Sequence, residues 1–157
     1  MYKRQVEWVT IFFFVGLFIV VHGIEHVGLL QILADQVLAF TGGDLTLTAM
    51  AIIWVSAIFS AIVDNIPFVA TMIPMIKSMA PIFGGAENLM PLWWSLALGA
   101  CLGGNGSLVG ASANLIVAGY AERAGHRIEF LKFMALAFPL MLVSIVIASI
   151  YVYVRFL

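Results

Sequence analysis

Apolar positions dominate this chain in runs longer than an amphipathic helix allows, and polar residues interrupt them at two places. Residues 49–76 read AMAIIWVSAIFSAIVDNIPFVATMIPMI, one apolar run cut near its middle by Asp64, Asn65 and Pro67. At about 1.5 Å per residue the run would reach roughly 42 Å, more than a bilayer core of about 30 Å needs. Each arm alone falls short of the roughly 20 residues that cross a membrane. Pro67 lacks an N–H, and Ile66 before it is biased towards extended geometry. A charge at bilayer depth costs at least about 2.5–3.5 kcal/mol, so Asp64 is not an idle residue there. The pattern predicts a helical hairpin that dips in and turns back at Asp64-Asn65-Ile66-Pro67, in preference to one kinked, tilted crossing.

The second interruption has a different chemistry. Leu92 to Leu102 is apolar, and Gly103-Gly-Asn105-Gly106-Ser107-Leu-Val-Gly110-Ala-Ser112-Ala-Asn114 follows before an apolar run to Tyr120. Tight helix packing alone would explain the spacing of Gly99 and Gly103, or of Gly106 and Gly110. It does not call for two Asn and two Ser within ten positions. Those oxygens, with backbone loosened by glycine, point to a substrate or ion site in a broken helix. No Lys follows the glycines as a phosphate loop requires. A serine protease at Gly110-Ala-Ser112 finds only His126, in a loop, as its base.

The remaining segments frame these two. Residues 6–21 read as a first transmembrane helix behind the basic Lys3-Arg4, with residues 1–5 a non-native start. No small-x-small cleavage site follows His22, which argues against a signal peptide. Residues 27–40 keep helical spacing broken by Gln31, Asp35 and Gln36, as an interfacial helix would. Thr41-Gly42-Gly43-Asp44 is a turn, and Asp44 or Thr46 can cap the next helix. Residues 77–91 form a polar connector whose Pro91 opens a helix. Trp93 and Trp94 sit where an interfacial belt would place them. Arg123, Arg127 and Lys132 make the densest basic loop, a cytoplasmic signal, and the last helix runs from about Phe133 to Tyr153 with Pro139 inside it. The hairpin reading puts both basic clusters on the same side of the membrane; a single crossing does not. His22-Gly-Ile-Glu25-His26 formally fits an inverted zinc-protease pattern, but Gly23 lies inside it and no further carboxylate helix is evident, so a polar helix end is preferred.

Composition agrees. The chain of 157 residues is 64% hydrophobic and 10% charged, with mean hydropathy +1.13. Soluble domains run nearer 45–50% apolar, so this is one integral membrane domain. A net charge of -1 without a basic patch argues against nucleic acid. The single Cys101 can form no internal disulfide and reads as an inert packed thiol.

Together, the Val63–Ile76 and Leu102–Asn114 motifs resemble the ion transporter superfamily. The nearest branch is the ArsB/NhaD-type permeases, which include arsenite permeases, sodium/proton antiporters and the melanosomal P protein. The resemblance covers nearly the whole chain after Gln5. It implies an all-α, polytopic fold of inverted repeats, each with one re-entrant hairpin and one discontinuous helix. Residues 6–157 would be the later part of the second repeat, a C-terminal fragment whose natural partner is the missing N-terminal repeat. It implies a hairpin tip at Asp64, Asn65 and Pro67 with Thr71 beyond it. Asn105, Gly106, Ser107, Gly110, Ser112 and Asn114 would line the break opposite. Oxygens of Asn65, Ser107 and Asn114 would suit sodium, and Asp64 would titrate or bind it. The implied function is a secondary active permease or antiporter for a small inorganic ion or small anion, coupled to sodium or protons. No cofactor beyond the coupling ion and no catalytic residue is implied. The setting would be a prokaryotic plasma membrane, multi-pass, with a homodimer as the assembly. A membrane-embedded enzyme using Asp64 or His22/His26, or a non-transporting structural fragment, are the competing readings.

Overall fold

The computed structural model describes residues 8–62 and 65–157, and among them every regular element is helical. Helix α1 spans Trp8–His26, α2 Leu29–Thr41, α3 Leu45–Ile62, α4 Asn65–Ser78, α5 Met90–Gly103, α6 Ser112–Arg123 and α7 Phe130–Phe156, with short 3-10 turns at Ala86–Leu89 and Gly104–Gly106. Of these, α3 and α7 are long and apolar enough to cross a membrane.

The turn into α3 explains itself from its residues. Gly42 and Gly43 take φ of 63° and 71°, the left-handed region where other residues are strained. Their N–H groups return to the Leu38 carbonyl and close α2. Asp44 then caps α3, its Oδ1 accepting from the Leu47 N–H at 2.8 Å. The buried hydroxyls of Thr41 and Thr48 meet at 2.8 Å and tie the two helices across the turn.

Helices α3 and α5 run side by side in the same direction. A Cβ added at Gly99 would strike the backbone of Ile53, and one at Gly103 the backbone of Ala57. The missing side chains are what permit the approach. α7 packs on both in the opposite sense. Met141 and Ile145 meet Ala57 and Ala61, while Ala148 and Val152 lie with Ile53, and Trp94 stacks on Phe156 at 5.4 Å. The buried stripe Met141, Ile145, Ala148, Val152 keeps helical spacing. The opposite face of α7 is just as apolar, with Leu136, Leu140, Val143, Ile147 and Val154 exposed, as in a helix surrounded by lipid.

The end of α4 returns to the start of α5. Met72, Met75, Ile76 and Met79 share one core cluster with Leu89, Leu92 and Leu96, and Ala34 and Leu38 of α2 join them. Since α5 is parallel to α3, α4 is antiparallel to α3. Phe59 of α3 stacks on Phe68 of α4 at 5.9 Å. The expectation for Ile66 differs: it is helical, inside the first turn of α4. Pro67 therefore stands where a helix needs no N–H. Pro91 is likewise in the opening turn of α5. Cys101, expected to be packed, is exposed, because the inward face of α5 is taken by Gly99, Ala100 and Gly103.

This arrangement puts the 79–89 connector and the α6–α7 loop at opposite ends of the α3–α5–α7 layer. In a Cys101→Ala background, Glu87→Cys and His126→Cys should react with an impermeant thiol reagent from opposite sides of the membrane. Labelling of both from one side would contradict the layer as a transmembrane unit.

Candidate functional site

The second interruption is built as a break between two helices. α5 stops at Gly103, Gly104–Gly106 makes a 3-10 turn, and Ser107 is extended at φ −146°, ψ 168°. Ala111 is extended too, and α6 starts at Ser112. Ending one helix and starting another releases carbonyls on the first and N–H groups on the second. In an apolar interior each released group needs a partner.

The partners come from the break itself and from the last turn of α3. The Ser107 hydroxyl, 3% exposed, donates to the Ala61 carbonyl and accepts the Gly110 N–H at 3.0 Å. The Asn114 Nδ2 donates to the carbonyls of Gly104 at 3.2 Å and Ser107 at 3.0 Å. The Ser60 hydroxyl donates to the Ala100 carbonyl at 2.6 Å and binds α3 to α5 just before the break. Glycine makes room for this: a Cβ at Gly110 would come within 2.6 Å of the Ser60 carbonyl and 2.8 Å of the Gly104 carbonyl. One at Gly106 would press on Met141, Ala61 and Phe138. The last turn of α3, more than forty positions earlier in the sequence, therefore meets the break. The C-terminal ends of α3 and α5, carrying partial negative charge, lie beside the N-terminal end of α6, carrying partial positive charge.

Of the residues expected at the site, Asp64 lies outside the described residues. Asn65 and Pro67 are half-buried in the first turn of α4. Gly106, Ser107 and Gly110 are buried in the break, Asn114 is half-buried against it, and Asn105 and Ser112 are exposed on it. Thr71 belongs elsewhere. Its hydroxyl bonds to the Phe68 carbonyl at 2.7 Å, and it lines an apolar cavity of about 570 Å³ between α2, α3 and α4. Sequence reasoning missed Ser60. Its signal was the run of small residues Ser56, Ala57, Ser60 and Ala61 on one face of α3. His22 and His26, at the end of α1, hold their rings 6.5 Å apart. Among the described residues no three His, Cys, Asp or Glu gather as a metal site.

Residues 2–99 match the model of a family described as citrate transporter. An uncharacterized transporter of Mycobacterium tuberculosis is 43% identical over 155 residues, which make up 99% of this chain and 36% of that relative. The P proteins of Sus scrofa and Homo sapiens are 42% and 39% identical over 156 residues, 96% of this chain and 18% and 19% of theirs. The chain thus spans about a third or less of the length of these curated relatives. No solved structure matches it.

Removing the Ser107 hydroxyl strands a buried carbonyl and a buried N–H together. Ser107→Ala should cost about 1–3 kcal/mol of stability, whereas Ser112→Ala, at an exposed position, should stay within about 0.5 kcal/mol. Denaturant unfolding of the purified protein checks the difference; equal effects would show that the Ser107 bonds do not hold the break.

Proposed function

The chain belongs to the citrate transporter family, and on that premise we propose that it supplies half of the carrying unit of a secondary active transporter. The unit is an ion or anion permease or antiporter, of the arsenite-permease or sodium/proton-antiporter kind, driven by sodium or protons. It works in a multi-pass protein of a prokaryotic plasma membrane, with the first repeat, or a second copy in a homodimer, completing the assembly. In this reading the α3–α4 pair is a re-entrant hairpin and the α5–α6 pair a discontinuous helix of an inverted-repeat fold.

One observation supports this above all. The last turn of α3 meets the break of α5–α6 through Ser107 on Ala61 and Gly110 on Ser60. Irregular backbone at membrane depth is tolerated only inside protein or around a wet cavity. Here the irregular backbone of the break is held inside protein by the last turn of α3. Converging C-terminal helix ends and freed carbonyls favour a cation, and in this reading oxygens of Asn65, Ser107 and Asn114 are its ligands. Asp64 sets the charge of the site. Ser107 has a spare role besides its hydroxyl, since its carbonyl faces the same point as that of Gly104.

A second reading concerns the cargo. Ala111 gives α6 no side-chain cap, so the N–H groups of its first turn suit a carboxylate or another small oxyanion. That favours the carboxylate cargo that the family's description carries.

In proteoliposomes holding the intact transporter, Asn65→Ala and Asn114→Ala should each weaken the sodium or proton dependence of uptake, and the double variant should lose less than the sum, because the shared site is already damaged. Asp64→Asn should abolish coupling and leave membrane insertion unchanged. Full ion-dependent uptake in all three single variants would leave packing as the better account of these residues.

A further inference from the structure

The amide of Asn114 occupies an unusual position for a side chain in the first turn of a helix. Its Nδ2 lies between two backbone carbonyls, 3.2 Å from that of Gly104 and 3.0 Å from that of Ser107. An amide nitrogen has two N–H donors, and here it lies within hydrogen-bond distance of two carbonyl oxygens of the break. Two convergent carbonyls with a positive hydrogen between them have the electrostatics of an occupied cation site. Resting on the cation reading above, we propose that Asn114 is a two-position amide: its nitrogen fills the site when the coupling ion is absent, and its oxygen ligates the ion when it is present.

The exchange needs only a half-turn of the terminal torsion. The oxygen and nitrogen of a primary amide have nearly the same size, and this sp³–sp² torsion is broad and roughly two-fold. With no ion, Oδ1 turned inward would face two carbonyl oxygens and repel them, so the nitrogen points in. With a small cation, the same half-turn makes Oδ1 the third neutral oxygen beside Gly104 and Ser107. Three neutral oxygens suit a monovalent ion such as sodium; divalent calcium or magnesium is normally held with carboxylates. The adjacent C-terminal end of α5 adds partial negative charge.

The consequence is a break that keeps one shape in two states. The Gly104 and Ser107 carbonyls stay satisfied in either, by hydrogen or by ion, while Ser107 and Ser60 keep holding α3 to α5. A carrier must return without its ion, and this amide lets the broken segment remain folded when it does.

Three side chains at position 114 separate the possibilities in the intact protein, reconstituted in nanodiscs at pH 8. Thermal unfolding is followed against sodium chloride, with choline chloride holding ionic strength constant. The native protein should gain stability with sodium. Asn114→Asp keeps the oxygen and loses the donor, so it should melt lower in choline, recover with sodium, and half-saturate at roughly ten-fold lower sodium because ligand charge raises affinity. Asn114→Leu should melt low in both salts. A response of Asn114→Asp equal to the native one, or absent, would show that Asn114 only braces the loop and would overturn the exchange. A native protein indifferent to sodium would instead remove the cation reading on which the exchange rests. Should Asn114→Asp fail to fold, the side-chain 15N resonance of Asn114 in the native protein decides. It should move on adding sodium as both hydrogen bonds are lost, and a fixed resonance would overturn the proposal.

Discussion

A backbone group released by a broken helix has no water to turn to in a bilayer, and the rest of this structure is arranged around that constraint. Leaving each such group unpaired costs several kcal/mol. The chain meets the demand locally and by contact between segments. Asn114 serves the carbonyls of Gly104 and Ser107. Ser107 serves the Ala61 carbonyl and the Gly110 N–H at once. The last turn of α3 is therefore not a separate structure from the break. Moving one of them strains the hydrogen bonds of the other.

That contact depends on close packing of α3 against α5. Gly99 and Gly103 let the two backbones touch, and Ser56, Ala57, Ser60 and Ala61 face them as small partners. Ser60 gains a bond across the interface. Ser56 and Ser95 are fully buried with hydroxyls that find no partner among the described residues, so their small volume is what the interface uses. A larger residue at any of these positions would separate the helices. It would also pull Ser107 away from Ala61, turning a packing change into a change at the site.

Outside this interface the chain is loosely covered. α6 has no buried residue, and Leu115, Ile116, Val117 and Tyr120 lie exposed along it. α7 shows apolar residues on every side. Such surfaces suit lipid or further apolar helices rather than water. The charges gather instead at the α6–α7 loop, where Arg127 lies 3.8 Å from Glu122 and Lys132 bonds Glu129 at 2.9 Å. Both pairs are exposed and contribute little to stability; their role is to mark one end of the layer.

The residues alone determined where the helices break. Glycines with Asn and Ser mark the break between α5 and α6, and Asn65 with Pro67 the start of α4, by chemistry that an apolar helix interior does not carry. The residues also narrowed the cap of α3 to Asp44 or Thr46 and marked Pro91 as a helix opener, since both act on backbone within one turn; the structure takes Asp44. Residue order could not place Thr71 away from the break or Cys101 on the outside, because the direction a side chain faces depends on which neighbouring helix claims which stripe. It did not reveal Ser60, whose partner, the Ala100 carbonyl, is forty residues away. It suggested the oxygens of Ser107 and Asn114 as ligands. Only the tertiary structure showed the Ser107 hydroxyl bridging to Ala61 and the Asn114 nitrogen turned onto two carbonyls. Composition states which polar groups an apolar chain contains; which of them meet is decided by how closely glycine allows the helices to approach.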